Sequence, residues 1–232
     1  MSRNKIPLTP CIAWILHRRP FKETSAICEL FTEDLGRISA IMPNYKSKKK
    51  RTLMSPFQPL WIQLQGQGEL KKIKQIESHL SLPQLMGHRN FCGLYLNELL
   101  LKSLPKGESV PQIFATYQDS LKQLSDISIN QETILRNFEL ILLDALGYGL
   151  PFEQLDATTA DLFIFCTENG FVPCQKHQEF SFTKASLKAI KNRAWHMPGV
   201  LKSARILMRL AMPAAIHHKT IQCRQLWQAV SS

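Results

Sequence analysis

The first 78 residues read as short strands, some mostly apolar and others alternating from one face to the other at the period of a β-strand. After residue 79 the period lengthens to that of a helix. Residues 11–17 (CIAWILH), 25–32 (SAICELFT), 36–42 (GRISAIM), 60–64 (LWIQL) and 69–76 (ELKKIKQI) predict five short strands. Within the second, Ala26, Cys28 and Leu30 alternate against Ile27, Glu29 and Phe31. In the third, Ile38 and Ala40 alternate with Ser39 and Ile41. Turn signals separate them at Arg19-Pro20, at 33–36, between Pro56 and Pro59, and at Gly66-Gln67-Gly68. Two of these, 33–36 and 65–68, read as tight antiparallel connections. Five strands in fewer than 80 residues, with one long loop, suit a small closed barrel of the OB-fold type. Periodicity alone leaves an SH3-like barrel or an open sheet as alternatives.

Residues 91–104 (FCGLYLNELLLKSL) predict a central helix with a wide apolar face at 91, 94, 95, 99 and 100. Pro105-Lys106-Gly107 stops it. Ser109-Val110-Pro111-Gln112 reads as a capping box opening a helix to about residue 124. Asn130 is placed to cap the next helix, whose stripe is Ile134, Phe138, Ile141 and Ala145 beside Leu135 and Leu142. Gly147 suits the left-handed position that ends it. A small hairpin is expected over 162–166 and 170–172, and helices over 183–193, 198–210 and 221–230. The expected class is therefore α+β. Residues 1–80 form a five-stranded OB-fold barrel, and 81–232 a mainly α-helical domain with a small β-hairpin near 160–175.

Composition sharpens this picture. The 232 residues carry 29 Lys and Arg against 18 Asp and Glu, a net charge of +11. The excess is divided along the chain: +8 over 1–78, −6 over 79–180 and +9 over 181–232. Ordinary solvation mixes signs, so two strongly basic ends point to a polyanion such as nucleic acid. The alternative is a basic protein without a polyanionic ligand. The densest run is Lys46, Lys48, Lys49, Lys50 and Arg51, broken only by Ser47, and mutual repulsion predicts a solvated loop. No run of 18 apolar residues predicts a membrane span, and no apolar leader opens the chain, so a cytoplasmic setting is expected.

Phosphate-loop, dinucleotide, zincin and nucleophile-elbow motifs are absent. His217-His218 are adjacent and unsuited to share a metal, and His17 reads as a surface or phosphate-facing residue beside Arg18-Arg19. Asp156 and Asp161 lack a neighbouring acid. Glu98, Glu132 and Glu139 read as solvated or paired. The six cysteines (11, 28, 92, 166, 174 and 223) form no Cys-x-x-Cys and read as neutral thiols. No catalytic residue, metal or cofactor is expected, although an unrecognised enzyme stays a competing class.

Several motifs, in order over about residues 11–150, resemble the RecO family of bacterial recombination mediators. They are Leu16-His17-Arg18-Arg19-Pro20-Phe21-Lys22-Glu23-Thr24-Ser25, Leu30-Phe31-Thr32-Glu33 with Gly36-Arg37, Gln58-Pro59-Leu60, and Gly66-Gln67-Gly68-Glu69-Leu70-Lys71. The strongest are Gly93-Leu94-Tyr95-Leu96-Asn97-Glu98-Leu99-Leu100 and Leu135-Arg136-Asn137-Phe138-Glu139-Leu140, followed by Leu146-Gly147-Tyr148-Gly149. The resemblance implies an N-terminal OB-fold and a C-terminal helical domain. It also implies binding of single- and double-stranded DNA, annealing of complementary strands, and binding of the acidic tail of single-stranded DNA-binding protein (SSB). With RecR, such proteins help load RecA. Many members hold zinc on four cysteines after the Gly-Tyr-Gly region; this chain departs there, with Cys166 and Cys174 alone.

An OB-fold grips strands with backbone-tracking cations and stacked aromatics. The candidate DNA contacts are Lys46, Lys48, Lys49, Lys50 and Arg51, extended by Lys71, Lys72 and Lys74, together with Arg18 and Arg37. Tyr45 and Trp61 are candidate stacking residues, Trp61 reading first as core. Lys188, Lys191, Arg193, Lys202, Arg205 and Arg209 offer a second basic surface. For the SSB tail, an apolar pocket beside a cation is needed, and Arg136 with Leu135 and Phe138 is the candidate. Pairing of Arg136 with Glu132 or Glu139 is the competing reading. A general OB-fold nucleic-acid-binding protein without SSB or RecR contacts is the alternative function.

Overall fold

The computed structural model describes residues 10–66, 68–176 and 178–223; of Lys49 only the backbone is described. Five strands close into a barrel in the order β1-β2-β3-β5-β4: β1 (Cys11–Phe21), β2 (Ser25–Thr32), β3 (Gly36–Met42), β4 (Leu60–Gln65) and β5 (Leu70–Ser78). All pairings are antiparallel except β3 with β5, where Ser39–Ile41 run beside Leu70–Lys72. This is the expected OB-fold. Its core is the inward set Ala13, Cys28, Leu30, Ile38, Ala40, Leu60, Ile62, Leu64 and Ile73. The outer face of β2 is also covered. Phe31 meets Phe114 and Tyr117 edge-on, and Trp14 of β1 meets Tyr117 at 5.5 Å between centroids. Two helices supply that cover, α2 (His88–Ser103) and α3 (Pro111–Ser125). The chain accordingly divides into one compact unit up to Asp126, joined by the segment from Ile221, and a second over Ile127–Thr220.

Four local expectations are corrected. The turn placed at Arg19-Pro20 lies later, because β1 runs on to Phe21 and the reversal falls at Lys22, whose φ is 55°. Proline is tolerated there because β4 pairs β1 only over Cys11–Ala13, so one side of the strand has no ladder to break. The cationic run forms a short helix, α1 (Lys48–Leu53), rather than an irregular loop. Lys48 and Arg51 stay exposed, Lys50 and Arg51 sit where a helix C-terminus favours positive charge, and Leu53 and Met54 anchor the helix to the barrel core. The capping box before α3 does not form: Val110 holds the cap position, and the Ser109 hydroxyl donates to the Glu33 carbonyl at 2.8 Å. That bond belongs to a close approach at the β2–β3 turn, where a Cβ on Gly36 (φ 60°) would fall 1.7 Å from the Glu108 oxygen. Trp61, read first as core, points outward and is 42% exposed, since Leu60 and Ile62 take the inward positions of β4.

The second unit holds α4 (Gln131–Ala145), a 3-10 turn (Phe152–Leu155), and a small sheet of β6 (Leu162–Cys166), β7 (Gly170–Pro173) and β8 (Phe182–Thr183). Helices α5 (Lys184–Lys191) and α6 (Val200–Ala215) follow. Asn130 caps α4 as expected, accepting the Glu132 N–H at 2.8 Å, and Gly147 takes φ 79° past its end. The buried stripe of α4 is rotated from the expected one. Ala145 is exposed and Leu135 and Ile141 are half-buried, while Arg136 and Glu139 are buried among Ile134, Phe138, Leu142 and Leu143. The two-residue β8 was not anticipated. The helix expected over 221–230 begins at Gln222, and its remainder, like Gln67, lies outside the described residues. Glu98 fastens that beginning to α2, accepting the N–H groups of Gln222 and Cys223 at 2.7 and 2.8 Å. Burial raises the Glu98 pKa, but these bonds and the one from Lys102 outweigh it and hold the carboxyl below its ordinary value.

Candidate nucleic-acid interface

The site begins with a β-bulge. Ile15 pairs with Leu30 and His17 with Glu29, so Leu16 has no partner across the ladder. Its carbonyl is instead taken by the Asn97 side chain of α2 at 3.1 Å, and Asn97 accepts in turn from the buried Tyr117 hydroxyl at 2.6 Å. One extra residue moves everything after it to the opposite face. Arg18 and Pro20 therefore stand across from Cys28 and Ala26, on the face that lines the barrel core further down, and His17 turns outward beside Glu29. The Cys28 thiol reports this placement. Burial pushes its pKa up to about 11, while the Arg18 charge pulls the other way.

Arg18 thus reaches the barrel mouth, where the segment after β3 brings a second group of cations. Arg18, Arg19, Pro20, Ala26, Tyr45, Lys46 and Arg51 line one open cavity of about 400 Å³. Tyr45 is half-buried against the barrel core, and its N–H donates to the Thr24 carbonyl at 3.0 Å, tying the wall to the β1–β2 turn. Lys46, Lys48 and Arg51 are exposed. Lys50 is half-buried and its ammonium donates to the Pro43 carbonyl; burial holds its pKa below the ordinary lysine value. Lys72 and Lys74 on β5 are exposed and Lys71 is half-buried. The outward Trp61 stacks with His79, centroids 6.1 Å apart.

Arg37, also in the expected DNA-contacting set, is engaged within the protein. Its Nε donates to the Leu104 carbonyl at 2.9 Å and its Nη1 pairs with Glu29 at 3.2 Å, so it braces the barrel against the end of α2. Glu29 also accepts from the Ser39 hydroxyl, which in turn accepts from Lys106. In the second unit, Arg136 and Glu139 meet through Nη2–Oε1 at 2.9 Å and Nε–Oε2 at 2.8 Å, with side-chain exposures of 7% and 0%. The structure therefore places Arg136 in an ion pair, beside half-buried Leu135 and buried Phe138. The C-terminal basic set (Lys188, Lys191, Arg193, Lys202, Arg205 and Arg209) is exposed throughout, with Lys188 paired to Asp156 and Arg205 to Glu132. Arg19 was missed as a site residue; its position beside Arg18 and before a proline was the available signal. The described residues hold no cluster of three or more His, Cys, Asp or Glu suited to a metal, and no described helix is long and apolar enough to cross a membrane.

Comparison with known proteins bears on this geometry. Residues 8–81 match the family model for the recombination protein O N terminal domain, and residues 85–181 match that for the recombination protein O C terminal domain. The DNA repair protein RecO of Proteus mirabilis (strain HI4320) is 34% identical over 226 residues, covering 93% of this chain and 91% of that one. RecO of Pseudomonas aeruginosa (strain UCBPP-PA14) is 36% identical over 219 residues, covering 92% of each. RecO of Coxiella burnetii (strain CbuG_Q212) is 34% identical over 232 residues, covering 96% of this chain and 98% of its own. An OB-fold barrel with a cationic mouth, two consecutive domain matches and end-to-end relatives agree, and the chain belongs to the RecO family of DNA repair proteins.

Proposed function

We propose that this protein is a non-catalytic recombination mediator that binds single- and double-stranded DNA and anneals complementary strands. In this reading residues 1–80 are the nucleic-acid-binding domain and 81–232 the helical domain. The protein works in the cytoplasm at the nucleoid, docks the SSB tail, and with RecR assists RecA loading. The observation that carries the reading is the gathering of Arg18, Arg19, Lys46 and Arg51 at one barrel mouth, with Lys72 and Lys74 exposed on β5. Cations so placed release the counterions condensed on a phosphate backbone. The exposed Lys191, Arg193, Lys202 and Arg209 supply a second such surface. Two polyanion-binding surfaces on one chain neutralise two strands and favour their pairing without a nucleotide cofactor.

The tail contact is assigned to Leu135, Arg136 and Phe138. It asks a terminal carboxylate to reach a guanidinium already held by Glu139, so its test must remove the cation without stranding the acid. Complementary oligonucleotides coated with SSB should anneal faster with the protein than without it, and SSB lacking its tail should abolish the advantage. In the Arg136→Met/Glu139→Leu double variant, tail-peptide affinity should fall at least tenfold. Acceleration that ignores the tail would favour a general OB-fold nucleic-acid-binding protein, and unchanged affinity in the double variant would move the tail's receptor elsewhere.

A further inference from the structure

We propose that the cavity at the barrel mouth receives one nucleotide turned out of a single strand, and that Tyr45 thereby sets a preference for single-stranded over duplex DNA. This rests on the DNA-binding reading above and adds to it a discriminating residue. Pro20 and Ala26 are apolar, Tyr45 is aromatic, and Arg18, Arg19, Lys46 and Arg51 are cationic; no carboxylate is among the lining residues. Cations alone would take any anion. Apolar surface and an aromatic ring set among those cations suit an anion that carries a flat aromatic group, which is the chemistry of a nucleotide. A volume of about 400 Å³ lies in the range of small-ligand sites.

The wall is fixed before any ligand arrives. Tyr45 packs on the barrel core and its backbone is bonded to Thr24. Arg18 is aimed into the cavity by the bulge at Leu16, which Asn97 and Tyr117 hold from behind. Little side-chain freedom is then lost when a base stacks on the ring. Selectivity follows from shape. A base in a duplex has both faces covered by its neighbours, so it must be unpaired and unstacked before it can enter a concave site. A base in a single strand offers its face at small cost. Duplex DNA is left with the cations alone.

The test uses the full-length protein with a fluorescently labelled oligonucleotide and its matched duplex at one salt concentration. Tyr45→Leu should weaken single-strand binding about tenfold, as expected for one lost base–aromatic stack. Duplex binding should stay within twofold, and Tyr45→Phe should keep the single-strand affinity. In wild-type protein, photocrosslinking of a strand carrying 5-iodouracil should give an adduct on Tyr45, and free inorganic phosphate at equal ionic strength should not block it. Equal loss on both DNA forms, no loss on either, or adducts only at other residues would overturn the pocket while leaving the cation reading intact. If wild-type protein binds neither form, the DNA-binding reading itself falls, and the pocket with it. The crosslink is made on unaltered protein, so it decides even if Tyr45→Leu does not fold.

Discussion

Glu139→Ala should destabilise the protein by about 3–5 kcal/mol, the range for removing one partner of a buried ion pair. Glu139 is fully buried on α4, and two of its contacts reach the Arg136 guanidinium at 2.9 and 2.8 Å. Burial is costly for both ions, and their attraction in a weakly polarisable interior offsets that cost only while both are present. Alanine removes the negative partner and leaves a guanidinium that arginine chemistry cannot neutralise by losing a proton. A void where the carboxylate stood adds to the loss. Chemical denaturation, read as a fall in midpoint at unchanged slope, measures it. Replacing both residues, as in Arg136→Met/Glu139→Leu, should recover most of the loss, because apolar side chains of similar size satisfy the same space without desolvation. A single-variant loss under 1 kcal/mol would mean that the pair is solvated in solution.

Changing Lys46, Lys48, Lys49, Lys50 and Arg51 together to alanine should weaken single-strand binding on the order of 100-fold at moderate salt. The dependence of log affinity on log salt should flatten by about three, since each phosphate contact on a single strand contributes about 0.7. Annealing should slow in parallel, because the same contacts hold the strand that must meet its complement. The fold should survive. Lys48 and Arg51 are exposed, and the main interior cost is the Lys50 bond to the Pro43 carbonyl, about 1 kcal/mol. The barrel core needs only Leu53 and Met54 from this segment, and both are retained. An unchanged slope would remove α1 and its approach from the DNA path. Arg37→Ala should behave in the opposite way, costing stability through Glu29 and Leu104 while leaving the salt slope alone.

The barrel was legible because its signal is local. Leu60, Ile62 and Leu64 point inward and Trp61 and Gln63 do not, and the inward residues of β2 (Cys28, Leu30) and β3 (Ile38, Ala40) keep the same spacing of two, although Ile27 and Phe31 on the other face of β2 are buried as well. Asn130 and Gly147 act through their own chemistry, so the ends of α4 were readable as well. What escaped is set by distant partners. CIAWIL is apolar on both faces, so nothing in it announces that Leu16 drops out of register; the group that takes up its carbonyl, Asn97, lies 81 residues away. An Arg and a Glu three apart on a helix look alike in sequence whether exposed or buried, and only the packing around α4 shows that Arg136 and Glu139 are inside. The cationic run stands out as a cluster in the sequence but its helix does not, because water screens the exposed Lys48 and Arg51 while Leu53 and Met54 give the segment an apolar edge to rest on. Arg37 carried no sign in its neighbours that Glu29 would engage it.

The central claim is that clustered cations at the barrel mouth grip a phosphate backbone, and titrating a labelled single-stranded oligonucleotide with the wild-type protein across a salt series tests it most directly. The account predicts tight binding in dilute buffer that weakens steeply and linearly on a log–log plot, with a slope of about −3 or steeper. Binding absent at the lowest salt, or affinity that does not change as salt rises, would contradict it.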